Sequence, residues 1–146
     1  DRRLLAWAAR IHEIGLAVAH SQYHQHGAYL VENSDIAGFS RTEQQFLAAL
    51  VRNQRRAVNV ESFQVLPDRQ EEAALHCALL LRLAVLLHRS HSRADIPFRS
   101  LKASDGTLEL ELPEDWLTAH PLTEADLATE ADYLRDKQRS LEILVS

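Results

Sequence analysis

The sequence predicts a mainly α protein, a helical bundle followed by a small α+β appendage of a β-hairpin, a helix and a strand. Apolar residues recur with the spacing of amphipathic helices through residues 1–88. From residue 94 the pattern changes to short segments of alternating polarity around a turn signal. The chain has 146 residues, which is enough for a sizeable core. We therefore predict two domains, residues 1–93 and residues 94–146.

Four helices are expected in the first domain. Apolar residues recur every three or four positions in the first stretch, and Gly15 is expected to end it. Ser40 with Glu43, and Asp68 with Glu71, have the spacing of a capping box at a helix start. The fourth stretch is apolar on nearly all sides, so we expect it to be the central core helix. The predicted helices cover residues 1–14, 24–32, about 40–53 and about 68–88.

The second domain carries the signals of a hairpin, a helix and a closing strand. Asp105-Gly106 is typical of a type I′ hairpin turn. After the turn, leucine and glutamate alternate from Leu108 to Leu112, as in a strand with one buried face. Thr123 with Asp126 is expected to cap a helix. The predicted elements are strands at residues 98–103 and 107–112, a helical stretch from residue 116, a helix to about residue 137 and a strand at residues 140–145.

Charges are distributed unevenly along the chain. The net charge is −5, yet residues 1–93 carry 11 Arg, 9 acidic residues and seven of the eight histidines, whereas residues 94–146 carry 5 basic and 12 acidic residues. All but two of the 16 cations are Arg, whose planar fork matches phosphate oxygens. Arginine-rich usage can equally reflect genomic composition. The overall acidity and the few aromatic residues argue against nucleic acid as a partner.

The composition also indicates where in the cell the protein is expected. The single cysteine, Cys77, allows no internal disulfide, so we expect a cytoplasmic protein in which this thiol is structural. Arg82 interrupts the longest apolar run, and the first residues lack the layout of a signal peptide, so we expect no membrane association. The chain has no methionine and starts within a helical pattern, which leads us to expect a piece of a longer protein.

A His–acid pair, His12-Glu13, ends the first predicted helix, and the histidines His20, His24 and His26 follow it. This layout resembles the central motif of HD-domain proteins, in which a His-Asp pair and nearby histidines hold a divalent metal. Imidazole and carboxylate ligands suit Mn, Fe, Ni or Zn, and a water at an open position would serve phosphoester hydrolysis.

The HD motif is degenerate in this chain. Glu13 stands in place of the aspartate, and its extra methylene displaces the carboxylate. Val85 stands where the resemblance implies a later Asp ligand, and valine cannot ligate a metal. We therefore expect no metal and no catalytic residue, and we expect His12 to hydrogen-bond a neighbouring backbone group or carboxylate. The alternative metal set is His12, Glu13, His20 and His26.

A basic cluster ends the third predicted helix, where Arg52, Arg55 and Arg56 occupy about one and a half turns. Cations at this end of a helix favour the helix dipole. They also form a patch for anions when combined with further arginines and histidines. Both interpretations are open. The chain has no glycine-rich phosphate loop and no nucleophile motif.

Further motifs occur in a fixed order along the chain. They are the run from Trp7 to Leu16, His20-Ser21, His24-x-His26, Ala28-Tyr29-Leu30, Asn33-Ser34-Asp35, Gly38-Phe39, Leu50-Val51-Arg52, the run from Leu80 to Leu87, and Leu112-Pro113-x-Asp115-Trp116. Together they resemble the C-terminal region of bacterial exopolyphosphatases of the Ppx/GppA family. The resemblance implies an HD-like helical domain and a small α/β domain, without the two actin-like domains that carry the Mg-dependent phosphohydrolase site. We therefore expect no cofactor in this chain and no activity of the chain alone.

The resemblance also implies a function. The parent enzyme would remove terminal phosphates from inorganic polyphosphate, and relatives hydrolyse guanosine pentaphosphate. This region would bind the polyphosphate chain, contact the N-terminal domains of the same protein and form a homodimer. The candidate phosphate-binding residues are His24, His26, Arg52, Arg55, Arg56, Arg82 and Arg89. The alternatives are a residual HD-type metal-dependent phosphohydrolase and a purely structural interaction domain.

Overall fold

The computed structural model describes residues 2–89, 95–104 and 106–146. The chain forms two compact units, Asp1–Val85 and Leu86–Ser146. The first is built from helices, and the second contains a small three-stranded sheet with two helices. The predicted fold class, mainly α with a small α+β appendage, is confirmed. The predicted boundary between residues 93 and 94 lies outside the described residues, so the division at that point stays a prediction.

Helices at or near the predicted positions build the first unit. α1 packs against α3, and α2 packs against both α3 and the first of two short 3-10 helices. The α-helices are α1 (Arg2–Ile11), α2 (Tyr23–Asn33), α3 (Arg41–Arg52) and α4 (Asp68–Leu87), and the 3-10 helices are Ile14–Ala17 and Val60–Phe63.

Of the two predicted N-caps in the first unit, that of α3 is correct and that of α4 is wrong. Ser40 caps α3 as predicted, because its Oγ accepts a hydrogen bond from the Glu43 N–H at 3.1 Å and Glu43 Oε1 accepts one from the Ser40 N–H at 2.9 Å. The predicted cap at Asp68 is wrong, because Asp68 is already helical. The carbonyl oxygen of Pro67 accepts hydrogen bonds from two N–H groups of the first turn of α4, so the helix begins one residue earlier than expected.

The core of the first unit is centred on α3. Its residues Leu50 and Val51 are fully buried, as is Phe63 of the second 3-10 helix. α4 adds buried leucines on several sides, and burying each such side chain stabilises the fold by about 1.5–3 kcal/mol. Although α4 is apolar, neither it nor any other described helix is long and apolar enough to cross a membrane.

Gly15 has a different role from the predicted helix stop. α1 ends at Ile11, and the first 3-10 helix then runs through Gly15. A Cβ atom at this position would overlap the carbonyl oxygen of Tyr23 and lie 2.6 Å from the nitrogen of Gly27. Glycine is therefore required by the close approach of the 3-10 helix to α2.

The second unit is a three-stranded sheet with strand order β1-β2-β3. β1 pairs with β2 in antiparallel fashion, and β2 pairs with β3 in parallel. The alternation predicted for β2 is confirmed, since Leu108, Leu110 and Leu112 are buried. The elements are β1 (Ser100–Ser104), β2 (Thr107–Leu112), α5 (Glu114–Ala119), α6 (Pro121–Arg135) and β3 (Ser140–Val145).

Two turn and cap predictions for this unit have different outcomes. Asp105 lies outside the described residues, but its neighbour Gly106 has φ +80°, in the left-handed region that a type I′ turn needs. The predicted cap at Thr123 is wrong, because α6 begins two residues earlier with Pro121 at its first position. Proline has a preset φ and lacks the N–H group that a first helical residue leaves unpaired.

We predict that Gly15→Ala destabilises the chain by about 3 kcal/mol or more, because both clashing atoms belong to the backbone and cannot rotate away. Urea unfolding monitored by circular dichroism measures the change. Gly38→Ala is the matched control. A Cβ there meets no atom within 4 Å, and only its φ of +90° carries a cost, of about 1–2 kcal/mol. An equal or smaller loss in Gly15→Ala than in the control would contradict the packing role of Gly15.

Candidate anion-binding site

The basic cluster predicted from the sequence lies at the end of α3 and in the loop that follows. Arg52 is the last residue of the helix and is exposed, Arg55 is half-buried and Arg56 is exposed. Within the described residues, no carboxylate lies within 4.0 Å of a nitrogen of these three side chains. Their charges are therefore not neutralised by acidic residues of the described chain.

The loop carrying Arg55 and Arg56 is held in place by Arg82, a residue of α4 that is only 2% exposed. Arg82 Nη1 donates a hydrogen bond to the carbonyl oxygen of Asn53 at 2.7 Å, and Nη2 donates one to the carbonyl oxygen of Arg56 at 2.6 Å. These carbonyls follow the end of a helix, where backbone oxygens lack helical partners. The guanidinium therefore satisfies them and fixes the path of the loop.

Asn53 fixes the same loop from within. It is fully buried, and its Nδ2 donates to the carbonyl oxygen of Ala49 at 2.8 Å and to Ser62 Oγ at 2.7 Å. Its Oδ1 accepts a hydrogen bond from the N–H of Asn59 at 2.7 Å. Arg56, between these anchors, has φ +63°, a left-handed conformation that costs a residue with a Cβ about 1–2 kcal/mol. The surrounding hydrogen bonds hold the loop despite this strain.

His24, in the first turn of α2, lies in the electric field of the cluster. Burial, followed by the charges of Arg55, Arg56, Arg52 and Arg82, lowers the pKa of His24 from its usual 6.5 to about 4. The side chain is 5% exposed, and its Nδ1 has no hydrogen-bond partner among the described residues.

Tyr23 connects the cluster to the histidines. The guanidinium carbon of Arg55 lies 4.7 Å from the centre of the Tyr23 ring, a cation–π contact. The Tyr23 ring meets the His24 ring edge-on at 6.4 Å, and it lies 6.1 Å from the ring of exposed His20. His26 is half-buried in the same helix. The structure thus places an oriented guanidinium beside the start of α2.

Two of the candidate phosphate-binding arginines direct their N–H groups to oxygens of other described residues. The two hydrogen bonds of Arg82 to carbonyl oxygens give it a positioning role. Arg89 belongs to the second unit, where its Nη1 lies 3.1 Å from Asp126 Oδ2. Phosphate contacts of all seven residues named from the sequence stay predictions.

The structure does not bring the alternative metal set together among the described residues. His12 Nδ1 lies 2.6 Å from the carbonyl oxygen of Ala9, and His12 Nε2 lies 3.9 Å from Glu13 Oε1. In residues 2–89, 95–104 and 106–146, no three His, Cys, Asp or Glu side chains come close enough together to hold a metal. We therefore assign no metal-dependent step to these residues.

The sequence interpretation missed the two polar residues inside the basic run. Asn53 and Gln54 are both buried, and Gln54 Nε2 donates a hydrogen bond to the carbonyl oxygen of His12. The signal was present, because both residues continue the buried face of α3 at the spacing of Ala49 and Leu50. Polar residues at such positions indicate side chains that bind backbone groups of neighbouring segments.

One comparison with known proteins bears on this site. The family model for the Ppx/GppA phosphatase, domain III, matches residues 1–131. The match includes all of the first unit, and with it His24, α3, the arginine cluster and Arg82.

We predict that lowering the pH from about 7 to about 5 removes about 2 kcal/mol of stability through His24. The unfolded chain binds this proton at its ordinary pKa, whereas folded His24 resists it until about pH 4, so the unfolded state gains protons first. Urea unfolding across this range measures the loss. His24→Gln should lack this component, and His76→Gln, an exposed histidine on α4, should retain it. The same pH slope in all three proteins would refute the prediction.

Proposed function

Because this chain belongs to the Ppx/GppA phosphatase family, we propose that it is the polyphosphate-binding and dimerisation region of an exopolyphosphatase. The observation that carries the binding role is the cluster of Arg52, Arg55 and Arg56. These cations lie on one short segment and have no carboxylate partner among the described residues, and a buried guanidinium holds the backbone of the loop that carries Arg55 and Arg56. Such a cluster complements a ligand with many negative charges.

The chemistry of the cluster suits a chain of phosphates. Each internal phosphate of polyphosphate offers two non-bridging oxygens, and a guanidinium can bind both with parallel N–H donors. Arg52 and Arg56 are exposed and reach solvent, and Arg55 is oriented by the ring of Tyr23. Several arginines in series can follow successive phosphates, so the proposal names an extended polyanion as the ligand.

The other four candidate residues have different roles in phosphate binding. His24 and His26 lie on α2 beside the cluster, with His24 buried and His26 half-buried. Arg82 positions the loop through its two carbonyl contacts. Arg89 is proposed as a further phosphate contact on the strength of the family resemblance alone. In this proposal the actin-like domains of the parent enzyme carry out the hydrolysis with a Mg ion. This region contacts those domains.

Dimerisation and a cytoplasmic location are part of the proposal through family membership. A purely structural interaction domain is the competing function, and it predicts dimerisation without affinity for polyphosphate. Binding of polyphosphate to the isolated chain therefore separates the two functions.

We predict that the chain binds linear inorganic polyphosphate and releases no phosphate from it. Replacing Arg52, Arg55 and Arg56 together by Ala should weaken binding about 100-fold, because three ion pairs at the surface, of about 1 kcal/mol each, are lost. It should also lower the slope of log affinity against log salt concentration by about 2. Isothermal titration calorimetry at several salt concentrations measures both quantities.

The matched control for this prediction replaces Arg2, Arg10 and Arg69 by Ala. These exposed arginines lie outside the cluster, and their loss changes the net charge by the same amount. If the control weakens binding as strongly as the cluster variant, binding depends on overall charge and the assigned site is wrong. Absence of binding by the wild-type chain would favour the purely structural function.

A further inference from the structure

His24 is a buried base in which one ring nitrogen is left without a hydrogen bond in the described structure. It is 5% exposed, and Nδ1 has no partner among the described residues. A buried polar atom without a partner destabilises the folded chain. Unsatisfied buried groups of this kind are common where a side chain serves a ligand.

The charges that lower the pKa of His24 come from arginines of two elements. α3 and its loop contribute Arg52, Arg55 and Arg56, and α4 contributes Arg82. In its own helix, the adjacent titratable side chain is Tyr23, which meets the imidazole with its ring. The 3-10 helix Ile14–Ala17, which packs on α2, has no titratable side chain. After burial, the named contributions that lower the pKa of His24 all come from guanidinium groups.

A polyanion bound to the arginine cluster would reverse this balance. Phosphate charges beside Arg52, Arg55 and Arg56 offset the positive field that opposes a further proton. Protonation also gives both imidazole nitrogens an N–H donor, so the protonated His24 ring carries one more donor than the neutral ring. Binding of the polyanion and protonation of His24 therefore favour each other.

We propose that binding of polyphosphate at the arginine cluster is coupled to the uptake of one proton from solvent by His24. This inference rests on the proposed function, since it concerns how that same site responds to pH. By linkage, whatever raises the proton affinity of His24 in the complex raises the affinity for polyphosphate at low pH by the same factor. If His24 titrates normally in the complex, its contribution strengthens binding about 20-fold between pH 7 and pH 5.

The test is calorimetry of the 146-residue chain with linear inorganic polyphosphate of uniform length, at about pH 6, in two buffers of different ionisation enthalpy. The dependence of the observed heat on the buffer gives the number of protons taken up. We expect His24 to contribute about 0.7 proton at this pH. His24→Gln should lack that contribution, and His76→Gln should retain it. Both variants are titrated with the same polyphosphate, so the protons that the polyphosphate itself takes up or releases cancel when the two variants are compared.

Nuclear magnetic resonance of the His24 ring in the wild-type chain gives a second measurement that does not depend on the folding of a variant. With polyphosphate bound, the midpoint of its titration should rise by at least about one pH unit. An unchanged midpoint in a saturated complex, or equal proton uptake by His24→Gln and wild type, would overturn the coupling while leaving the proposed function intact. Absence of binding at any pH would overturn the proposed function and the coupling with it.

Discussion

The buried guanidinium of Arg82 holds the candidate site together. It joins α4 to two carbonyl oxygens, those of Asn53 and Arg56, in the loop that leaves α3. A buried cation without hydrogen-bond acceptors would be strongly destabilising, and helix-end carbonyls without donors carry their own cost. The carbonyl oxygens accept the hydrogen bonds that the buried guanidinium needs, and the guanidinium supplies the donors that the carbonyls need. The loop therefore has one favoured path, and it can hold Arg56 in a left-handed conformation that a free chain would avoid.

Fixing this loop has an electrostatic consequence. It concentrates positive charge beside the start of α2, where His24 is buried, and the imidazole is kept neutral at the pH values where free histidine titrates. The loop keeps Arg52, Arg55 and Arg56 close together despite their repulsion, because hydrogen bonds from Arg82 and from the side chain of Asn53 anchor it. Strain, like charges and an unsatisfied buried nitrogen occur together, and such departures from local stability are typical of functional sites.

Much of this architecture could be predicted from local sequence signals. Apolar periodicity placed the four helices of the first unit, and the Ser40–Glu43 pair gave the start of α3. The candidate cluster could also be predicted, because Arg52, Arg55 and Arg56 are neighbours in sequence at a helix end. Local patterns suffice where the interacting residues are a few positions apart.

The features that the sequence did not predict depend on contacts between distant segments. Arg82 lies 29 residues from the Asn53 carbonyl, and the sequence alone does not show that its guanidinium turns inward. A glycine at position 15 indicates a helix stop in the sequence, but the backbone atoms that require a glycine there belong to α2. The misplaced cap at Thr123 has a local cause, because Pro121 already supplied a helix start. At Asp68 the helix takes in the predicted cap residue itself, and the Pro67 carbonyl accepts the first hydrogen bonds.

The positioning role of Arg82 is best tested by measuring polyphosphate binding to Arg82→Lys. Lysine keeps the positive charge and the buried stem, but a single ammonium cannot reproduce the planar fork that spans two carbonyls. With one charged hydrogen bond lost, the unfolding free energy should fall by about 2 kcal/mol. Affinity for polyphosphate should fall at least about tenfold, although Arg52, Arg55 and Arg56 are all present. A variant that binds polyphosphate as tightly as the wild type would show that the loop does not depend on Arg82, and would contradict its role in building the site.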